Sequence, residues 1–532
     1  MMARIKHLSP LFGVLLVAAL IRFVGLSSNP CGLFRDEADK GYTTYSLLQT
    51  GRDLGGRFWP PQIKSFGAYT SPFYQWFSLP SIATCGLTVF STRLVAALAG
   101  TLACLAVYLV GVEWGGRRTG LFSALLLAVS PWHLLFSRWA NQGILTTLFI
   151  PLAVWLTWKS VEAVRERDGD FPWWGIVGAC IFWSLGWNAY APARLFVPLF
   201  LLAILGIECF LGGGNRRRGS VVFCIGLGTA VLILPFAADI LLHWEETQTR
   251  LRFLAGDGPL GPWSFAANYF SHWDPRYLLW RGDANLRHHY DALGQGQITW
   301  TEAAACIVGA YALIEGKGSW RGWLVAWLVL APVPAAVTRE GIPHALRTLF
   351  LVPGLALLGG TGLGFLWEGL SGKRRGWTGK GGILAVLALQ TALSLHSFSY
   401  DYPGKSGLAW ESGMVEAIGM VERVRDGEEP CTVSGIVEYP EAAVEFVVKP
   451  DPLAIQEGRG IPGYRFIETG RRFDASADDR AGLFLMRSWE IQVTPSWWRQ
   501  IRPLSEEAKM WKHWRLYRSK GPPDGKNGAN QK

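Results

Sequence analysis

Long apolar segments recur along most of the chain, and they restrict its fold more than any other feature of the sequence. Each is close to the roughly 20 residues that a helix needs to cross about 30 Å of hydrocarbon. Only 17% of the residues are charged, against about 25% in soluble proteins. The chain is therefore predicted to be an all-α polytopic membrane protein with eleven transmembrane helices, of which the first is not cleaved. The segments are 9–26, 94–112, 120–137, 143–158, 173–187, 194–211, 220–242, 301–315, 322–337, 345–368 and 381–397.

A twelfth apolar segment, residues 71–90, is excluded from the spans by the distribution of positive charge. If it does not cross, the basic clusters of the short loops, such as Arg117–Arg118 and Arg216–Arg218, all lie on the side of Arg4 and Lys6. Cytoplasmic loops carry such an excess of Lys and Arg. We therefore expect a multi-pass protein of the cell membrane with a cytoplasmic N-terminus, and a juxtamembrane 71–90 segment on the outer face. The net charge of +10 belongs to these loops and does not indicate nucleic-acid binding.

The sequence divides into a transmembrane domain, residues 1–399, and an extracytoplasmic α/β domain, residues 400–520. In the α/β domain, residues 431–437 and 442–448 show the alternating pattern of strands, whereas 411–424 has the apolar period of an amphipathic helix. Residues 521–532 are predicted to be disordered. The glycines of 359–364 lie inside an apolar segment, so we interpret them as helix-packing positions.

The outer loops hold the chemically interesting residues, and the first of them, residues 27–93, carries Asp36 and Glu37 immediately after a predicted span. Loops this long are often functional. Residues 243–300 form the other long loop that is predicted on the outer face. A carboxylate at a membrane surface can act as a general base on a hydroxyl. The planar guanidinium of an outer-face Arg can hold a phosphate. The alternative is a solvated carboxylate pair neutralised by Arg35 or Lys40.

Several motifs resemble the GT-C glycosyltransferases, in particular the protein O-mannosyltransferase and aminoarabinose-transferase branch. The resemblance is carried most closely by residues 1–200. Its motifs are F-R-D-E-A (34–38), G-A-Y-T-S-P-F-Y-Q-W (67–76), T-R-L-V-A-A-L-A-G-T-L (92–102), A-V-S-P-W-H-L-L-F-S-R (128–138) and P-H-A-L-R-T-L-F-L-V-P (343–353).

The resemblance implies an inverting enzyme that lies in membrane lipid and uses a polyprenyl-phosphate sugar donor. It makes Asp36 the candidate catalytic base, and Glu37 a partner that either supports Asp36 or binds the acceptor. Substrate-binding candidates on the outer face are Lys64, Tyr69, Arg138, Asn141, Gln142, Tyr190, Arg194, His344 and Arg347. An ionisable residue such as Arg347, one turn into an apolar segment, is a functional candidate by default.

No metal site is predicted. The oligosaccharyltransferase subunits bear acidic metal ligands where this chain has Asn141 and Gln142, and amides are poor substitutes for carboxylates around Mg²⁺ or Mn²⁺. A divalent cation is therefore disfavoured as a cofactor. His288 and His289 have the appearance of metal ligands, but adjacent side chains point apart on a helix or strand.

Two other functions compete with sugar transfer. A transporter or flippase would bury charges near the membrane midplane and often shows repeated halves; here the charges cluster at helix ends and no repeat is visible. A scaffold with a partner-binding outer domain would tolerate loss of Asp36. The sequence does not identify the sugar or the acceptor, whether protein, lipid or glycan.

Overall fold

The structure is a computed structural model, and it describes residues 2–166, 172–210, 216–245, 260–291, 294–371, 376–468, 473, 480–490, 494–501 and 512–521. Within them the chain is mostly helical. The helices are α1 Met2–Phe23, α2 Arg35–Thr50, α3 Phe73–Cys85, α4 Val89–Val129, α5 Pro131–Phe136, α6 Ile144–Glu166, α7 Trp173–Ala189, α8 Ala193–Phe210, α9 Arg216–Leu242, α10 Pro262–Ser271, α11 Trp300–Glu315, α12 Trp320–Leu330, α13 Val333–Ala336, α14 Leu351–Gly369, α15 Gly376–His396, α16 Tyr402–Ser406, α17 Met414–Val424, α18 Pro440–Val448 and α19 Pro452–Gln456. The strands are β1 Ile63–Ser65, β2 Ala68–Thr70, β3 Cys431–Val433, β4 Tyr464–Phe466, β5 Ala481–Arg487, β6 Trp498–Ile501 and β7 Trp514–Lys520.

The chain forms two compact units. The first unit comprises Met1–Leu26, Pro61–Phe77 and Arg93–Gly404, and the second comprises Ser27–Pro60, Ser78–Thr92 and Lys405–Lys532. The second unit thus contains the C-terminal domain together with parts of the first predicted outer loop. The predicted tail, residues 521–532, lies outside the described residues from position 522 onward.

The first unit holds the apolar helices. The eleven predicted segments coincide with helices along most of their described length, but 120–137 is divided between α4 and α5 and 322–337 between α12 and α13. The first six residues of 345–368, which include Arg347, precede α14. In the described part of the chain, six helices are long and apolar enough to cross a membrane, and α4 is two helices joined at a kink. The count of eleven spans stays a prediction. Helix α3 has 13 residues, about 20 Å of rise, which is short for the roughly 30 Å of hydrocarbon.

Glycine allows the closest helix contacts of the first unit. Gly116, at the kink of α4, has a φ of 80°, a conformation that costs glycine nothing because it has no Cβ. Along α14, a Cβ at Gly360 would overlap Ser123 of α4, and one at Gly362 would overlap the backbone of α11. The prediction that glycines 359–364 serve helix packing is confirmed.

The second unit contains a five-stranded mixed sheet in the order β4-β3-β5-β7-β6. Strand β3 is parallel to β4 and β5, whereas β7 is antiparallel to both of its neighbours. Helix α17 lies within the predicted 411–424 helix and packs Ile418 and Val421 into the core of the sheet.

The strand predicted at 442–448 is wrong, because these residues form helix α18. Pro440 occupies the first helical turn, where its missing N–H costs nothing. Ala442, Ala443 and Phe446 are buried, at the spacing that places side chains on one helical face. The alternation over 442–448 was too short to outweigh these signals. The other predicted strand, 431–437, is confirmed only over Cys431–Val433.

Candidate functional site

Asp36 lies in the first turn of α2, in the second unit, with a side chain that is 34% exposed. Its carboxylate lies 3.8 Å from the Arg35 Nε, and this is its only ion pair among the described residues. The Arg35 guanidinium is itself held by Glu438 and lies against the rings of Phe34 and Tyr439. Asp36 is therefore the partly exposed acid of this turn.

Glu37 and Asp39 are much less accessible than Asp36. Glu37 is fully buried, and its carboxylate accepts a hydrogen bond from the Phe34 N–H at 3.3 Å, which caps its own helix. Asp39 is 5% exposed. The predicted role of Glu37 toward the acceptor stays a prediction, and its observed contact stabilises the start of α2.

Helix α2 packs against α18 and α19 of the same unit. A Cβ at Gly41 would overlap the ring of Phe446, and the Tyr42 hydroxyl donates to the Pro450 carbonyl at 2.8 Å. Burial, with the nearby Asp39 and Glu441 carboxylates, raises the pKa of Glu445 to about 8. The helix that carries Asp36 is thus held to the C-terminal part of the chain by a close packed surface.

Arg138, in the first unit, is 2% exposed and binds the end of α1. Its guanidinium donates to the carbonyl oxygens of Ile21, Arg22 and Val24 at 2.7, 3.0 and 2.9 Å. Burial, with the charges of Arg93 and Arg22, lowers the pKa of Arg138 to about 10. A cation suits the carbonyl end of a helix, so these contacts account for its burial without a ligand; phosphate binding by Arg138 stays a prediction.

Asn141 and Gln142 form the turn between α5 and α6. The Asn141 Oδ1 accepts a hydrogen bond from the Gly143 N–H at 2.7 Å, so this amide stabilises the turn. The Gln142 Oε1 is buried and has no hydrogen-bond partner among the residues that the structure describes. A side chain at Gly143 would overlap Leu346, which shows that this turn lies against the 343–347 segment.

The β1–β2 hairpin brings Lys64, Tyr69 and Arg194 into one polar region of the first unit. Lys64 and Tyr69 are register partners, and the Lys64 ammonium lies 5.9 Å from the Tyr69 ring centroid. Tyr69 also packs on the His243 ring at 4.9 Å. Arg194 donates to the Gln62 Oε1 at 3.1 Å. These residues are far apart in sequence, and no motif signalled Gln62 or His243.

Tyr190 is the residue that follows α7, with extended backbone and a half-buried side chain. Three residues later α8 begins, and the Trp187 Nε1 donates to the Arg194 carbonyl at 3.2 Å. The Arg194 guanidinium lies 5.4 Å from the Trp187 ring centroid. The segment from Trp187 to Arg194 is thus a tight connection in which the Trp187 ring packs against the Arg194 guanidinium.

His344 and Arg347 belong to a second polar region of the first unit, together with Asp283 and His288. The Asp283 Oδ2 lies 3.0 Å from the His288 Nδ1 and accepts the Ala345 N–H at 2.9 Å. His288 and His344 have ring centroids 4.7 Å apart. The Arg347 guanidinium donates to the Thr338 hydroxyl and the Glu340 carbonyl at 2.8 and 2.6 Å.

The ionisation states in this region follow from burial and hydrogen bonding. Burial, with the neighbouring charges of His288 and Arg347, lowers the pKa of His344 to about 2. Burial by itself would raise the pKa of Asp283, but the hydrogen bond and charge of His288, with two backbone N–H groups, lower it to about 2. Asp283 is therefore an anion and His344 a neutral imidazole at pH 7.

The sequence did not single out Asp283 as a candidate and set His288 aside. Adjacent His288 and His289 do point apart, since the His289 Nε2 contacts the Gln295 carbonyl at 2.8 Å. His288 nevertheless joins residues distant in sequence, and Trp139 stacks on its ring at 5.9 Å. Trp139 thereby links the Arg138 loop to this region. The available signal was a pair of His residues in a long loop that was predicted to lie outside; the partners of His288 required the fold.

Comparisons with known proteins agree with this architecture. Residues 69–238 match the family described as dolichyl-phosphate-mannose-protein mannosyltransferase. The structure is similar to ArnT from Cupriavidus metallidurans bound to undecaprenyl phosphate, with a TM-score of 0.60, 12% identity, and coverage of 96% of this chain and 98% of ArnT. For ArnT in the apo state the TM-score is 0.62, with 13% identity and 95% and 97% coverage.

A further similar structure is the archaeal oligosaccharyltransferase AglB from Archaeoglobus fulgidus in complex with an inhibitory peptide and a dolichol-phosphate. Its TM-score is 0.54 at 14% identity, over 84% of this chain and 64% of AglB. No curated protein matches the chain in sequence. The chain therefore has the GT-C fold, and the resemblance drawn from its motifs is confirmed.

Proposed function

We propose that this protein is a membrane glycosyltransferase that moves a sugar from a polyprenyl-phosphate carrier to an acceptor hydroxyl on the outer face of the membrane. The observation that carries the proposal is the similarity to ArnT bound to undecaprenyl phosphate, which extends over almost the whole of both chains. AglB, the second relative, was solved with a dolichol-phosphate. Two relatives of this fold thus hold the same kind of lipid phosphate.

The proposed reaction is an inverting displacement at the anomeric carbon. The Asp36 carboxylate takes the proton of the acceptor hydroxyl, whose oxygen forms the new bond to the anomeric carbon. The bond from that carbon to the phosphate oxygen breaks, and its electron pair leaves with the polyprenyl phosphate. Asp36 suits the role of base because its carboxylate is partly exposed and only weakly paired.

We assign phosphate binding to basic residues of the first unit, with Arg347 and Arg194 as the first candidates. A guanidinium can meet two phosphate oxygens with parallel N–H groups. Arg194 makes one hydrogen bond to the neutral amide of Gln62 and carries a buried Nε. Because this partner is neutral, the positive charge of Arg194 would stabilise the negative charge that develops on the leaving phosphate.

The decisive experiment is sugar transfer by purified full-length protein with polyprenyl-phosphate sugars as donors, comparing wild type with Asp36→Asn. Loss of a general base should lower the rate by about 10² or more. Asp426→Asn provides a matched control, because that carboxylate is 83% exposed and belongs to the same unit. Size-exclusion chromatography in detergent verifies folding.

If Asp36→Asn transfers sugar as fast as wild type, the assignment of the base is wrong. A wild type that transfers no sugar from any of a panel of donors contradicts the function itself. Phosphate binding is tested separately with Arg347→Gln and Arg194→Gln, which should raise the KM for the donor more than for the acceptor. Equal KM values in these variants and wild type would remove the two arginines from the donor site.

The proposal includes the eleven-span topology in the plasma membrane, with a cytoplasmic N-terminus and residues 400–520 outside. The six helices of sufficient length and the two shorter apolar ones support a multi-pass arrangement. Reporter fusions after Arg118 and after Ser412 should report the cytoplasm and the exterior, respectively. The same compartment for both fusions would contradict the arrangement.

A further inference from the structure

Asp283, His288 and His344 come together in the first unit with their potential metal-ligating atoms all within 4.8 Å of one another. Asp283 and His288 are 7% and 6% exposed, and His344 is half-buried. None of them has a part in the proposed proton transfer. We propose that these three side chains bind a divalent metal ion of the Zn²⁺ type.

The spacing of the ligand atoms is close to that of a tetrahedral site. Zn–N and Zn–O bonds of about 2.0–2.2 Å place neighbouring ligand atoms about 3.3–3.5 Å apart in a tetrahedron. The Asp283 Oδ2 and His288 Nδ1 are already 3.0 Å apart. All the separations lie within 4.8 Å, so they close with side-chain movements of at most about 1.5 Å, which is within the reach of rotations about χ1 and χ2.

Groups around the three side chains hold them as the outer shell of a metal site does. The Asp283 Oδ1 accepts the Asn285 N–H at 2.8 Å, and its Oδ2 accepts the Ala345 N–H. The backbone N–H of His344 donates to the Nε2 of His272 at 3.2 Å, which fixes the main chain that carries the imidazole. Hydrogen bonds to a ligating carboxylate, such as those to Asp283, orient it toward the ion. Each Asp283 oxygen accepting a backbone N–H retains a lone pair for the ion.

The ligand types select the metal. Two imidazoles and one carboxylate suit Zn²⁺ better than Mg²⁺ or Ca²⁺, which prefer oxygen ligands. Three protein ligands leave one tetrahedral position for water. The nearby Arg347 directs its guanidinium to the Thr338 hydroxyl and to the carbonyl and carboxylate of Glu340, and the Glu340 carboxylate partly offsets its charge.

A metal-free explanation exists for the same contacts. The Asp283–His288 hydrogen bond, with the Ala345 N–H, could serve only to hold the 283–288 segment to the 343–347 segment. The two explanations differ in one measurable respect, since a purely structural pair binds no ion. Metal content therefore separates them, and it does so whether or not the protein transfers sugar.

The experiment measures zinc by mass spectrometry in full-length protein purified in detergent without a polyhistidine tag, after incubation with ZnSO₄ and gel filtration. Wild type should retain about one zinc per chain. His344→Ala and His288→Ala should each lower zinc retention at least tenfold. Loss of an outer-shell partner already costs about 10–100-fold in metal affinity, and loss of a ligand should cost no less. His289→Ala is the matched control, since His289 is 7% exposed and bonds the Gln295 carbonyl outside the cluster.

A second measurement keeps the proposal testable if a variant fails to fold. Wild type loaded with Co²⁺ should show the intense visible d–d absorption of a tetrahedral site, and Zn²⁺ should abolish it by competition. Wild type that retains no zinc and shows no such absorption overturns the proposal. So does a folded His344→Ala variant that binds zinc as wild type does.

Discussion

Glu445 couples the stability of the second unit to pH, and its replacement by Gln should remove that coupling. The side chain lies on α18, which packs against α2, the helix that carries Asp36. Burial, followed by the charges of Asp39 and Glu441, raises its pKa from the ordinary 4.5 to about 8. Glutamine resembles the protonated form in shape and cannot ionise, so it retains the packing without the charge.

The sign follows from proton binding. Between pH 4.5 and 8 the folded protein holds a proton on Glu445 that the unfolded chain has released, so stability falls as pH rises through this range and is constant above it. Each pH unit is equivalent to about 1.4 kcal/mol, so the interval from pH 6 to 8 has a ceiling of about 2.7 kcal/mol. Because Glu445 is half-buried, solvent screening reduces this to about 1–1.5 kcal/mol.

The assay is thermal unfolding of the detergent-purified protein, followed by tryptophan fluorescence at pH 6, 7 and 8. At about 2–4 °C per kcal/mol, the contribution of Glu445 should lower the wild-type Tm by about 3–5 °C across this range. Glu445→Gln should lack this decrease and be more stable than wild type at pH 8. Asp39→Asn should reduce the decrease, because it removes the neighbouring charge.

Glu441→Gln serves as the control on the same helix. Its charge is the smaller of the two that act on Glu445, so most of the pH dependence should persist. A Glu445→Gln variant whose Tm falls between pH 6 and 8 as steeply as that of wild type would refute the reasoning. It would mean that the proton is bound elsewhere in the protein.

Two further predictions concern the first unit. Gly360→Ala should destabilise the protein by about 1–3 kcal/mol through overpacking, because its Cβ overlaps Ser123, whereas Gly226→Ala meets no atom within 4 Å and should be neutral or stabilising; equal Tm values for the two variants would contradict the packing argument. Arg138→Ala should cost about 2–3 kcal/mol, because it removes the donor from three carbonyls at the end of α1, one of which is buried and two part-buried. The control is Arg276→Ala, which removes an exposed ion pair with Asp274 and should cost under about 1 kcal/mol; similar melting of the two arginine variants would contradict the capping role.

The helices could be predicted because their signal is local and strong. An apolar segment of about 20 residues has few alternatives to a helix when the backbone must satisfy its own hydrogen bonds. The C-terminal sheet was harder, since its strands are short and β3, β4 and β5 pair in parallel across long connections. At 442–448 the apolar residues fit both the strand period and the helix period. Pro440, which is favoured in the first turn of a helix, agrees with the helix that forms.

The candidate site was predictable only residue by residue. Residue type and position at the end of a predicted span, both properties of the local sequence, made Asp36, His344 and Arg347 candidates. The pairing of Asp283 with His288 and the Ala345 N–H joins segments 62 residues apart, and no periodicity encodes such a contact. Likewise, the hydrogen bonds from Arg138 to the carbonyls at the end of α1 depend on how the helices pack against one another.

Asp36 and Glu37 show how far adjacent carboxylates can differ once the helix forms. Every residue of α2 from 37 to 44 is buried, whereas Asp36, in the first turn, is partly exposed. Glu37 is fully buried and bonded to the Phe34 N–H, whereas Asp36 retains 34% exposure and a single ion pair at 3.8 Å among the described residues. Composition and charge treat the two acids alike. The place of Asp36 at the start of α2 leaves its carboxylate partly exposed, as the proposed base requires, whereas the Glu37 carboxylate stabilises the first turn of the helix.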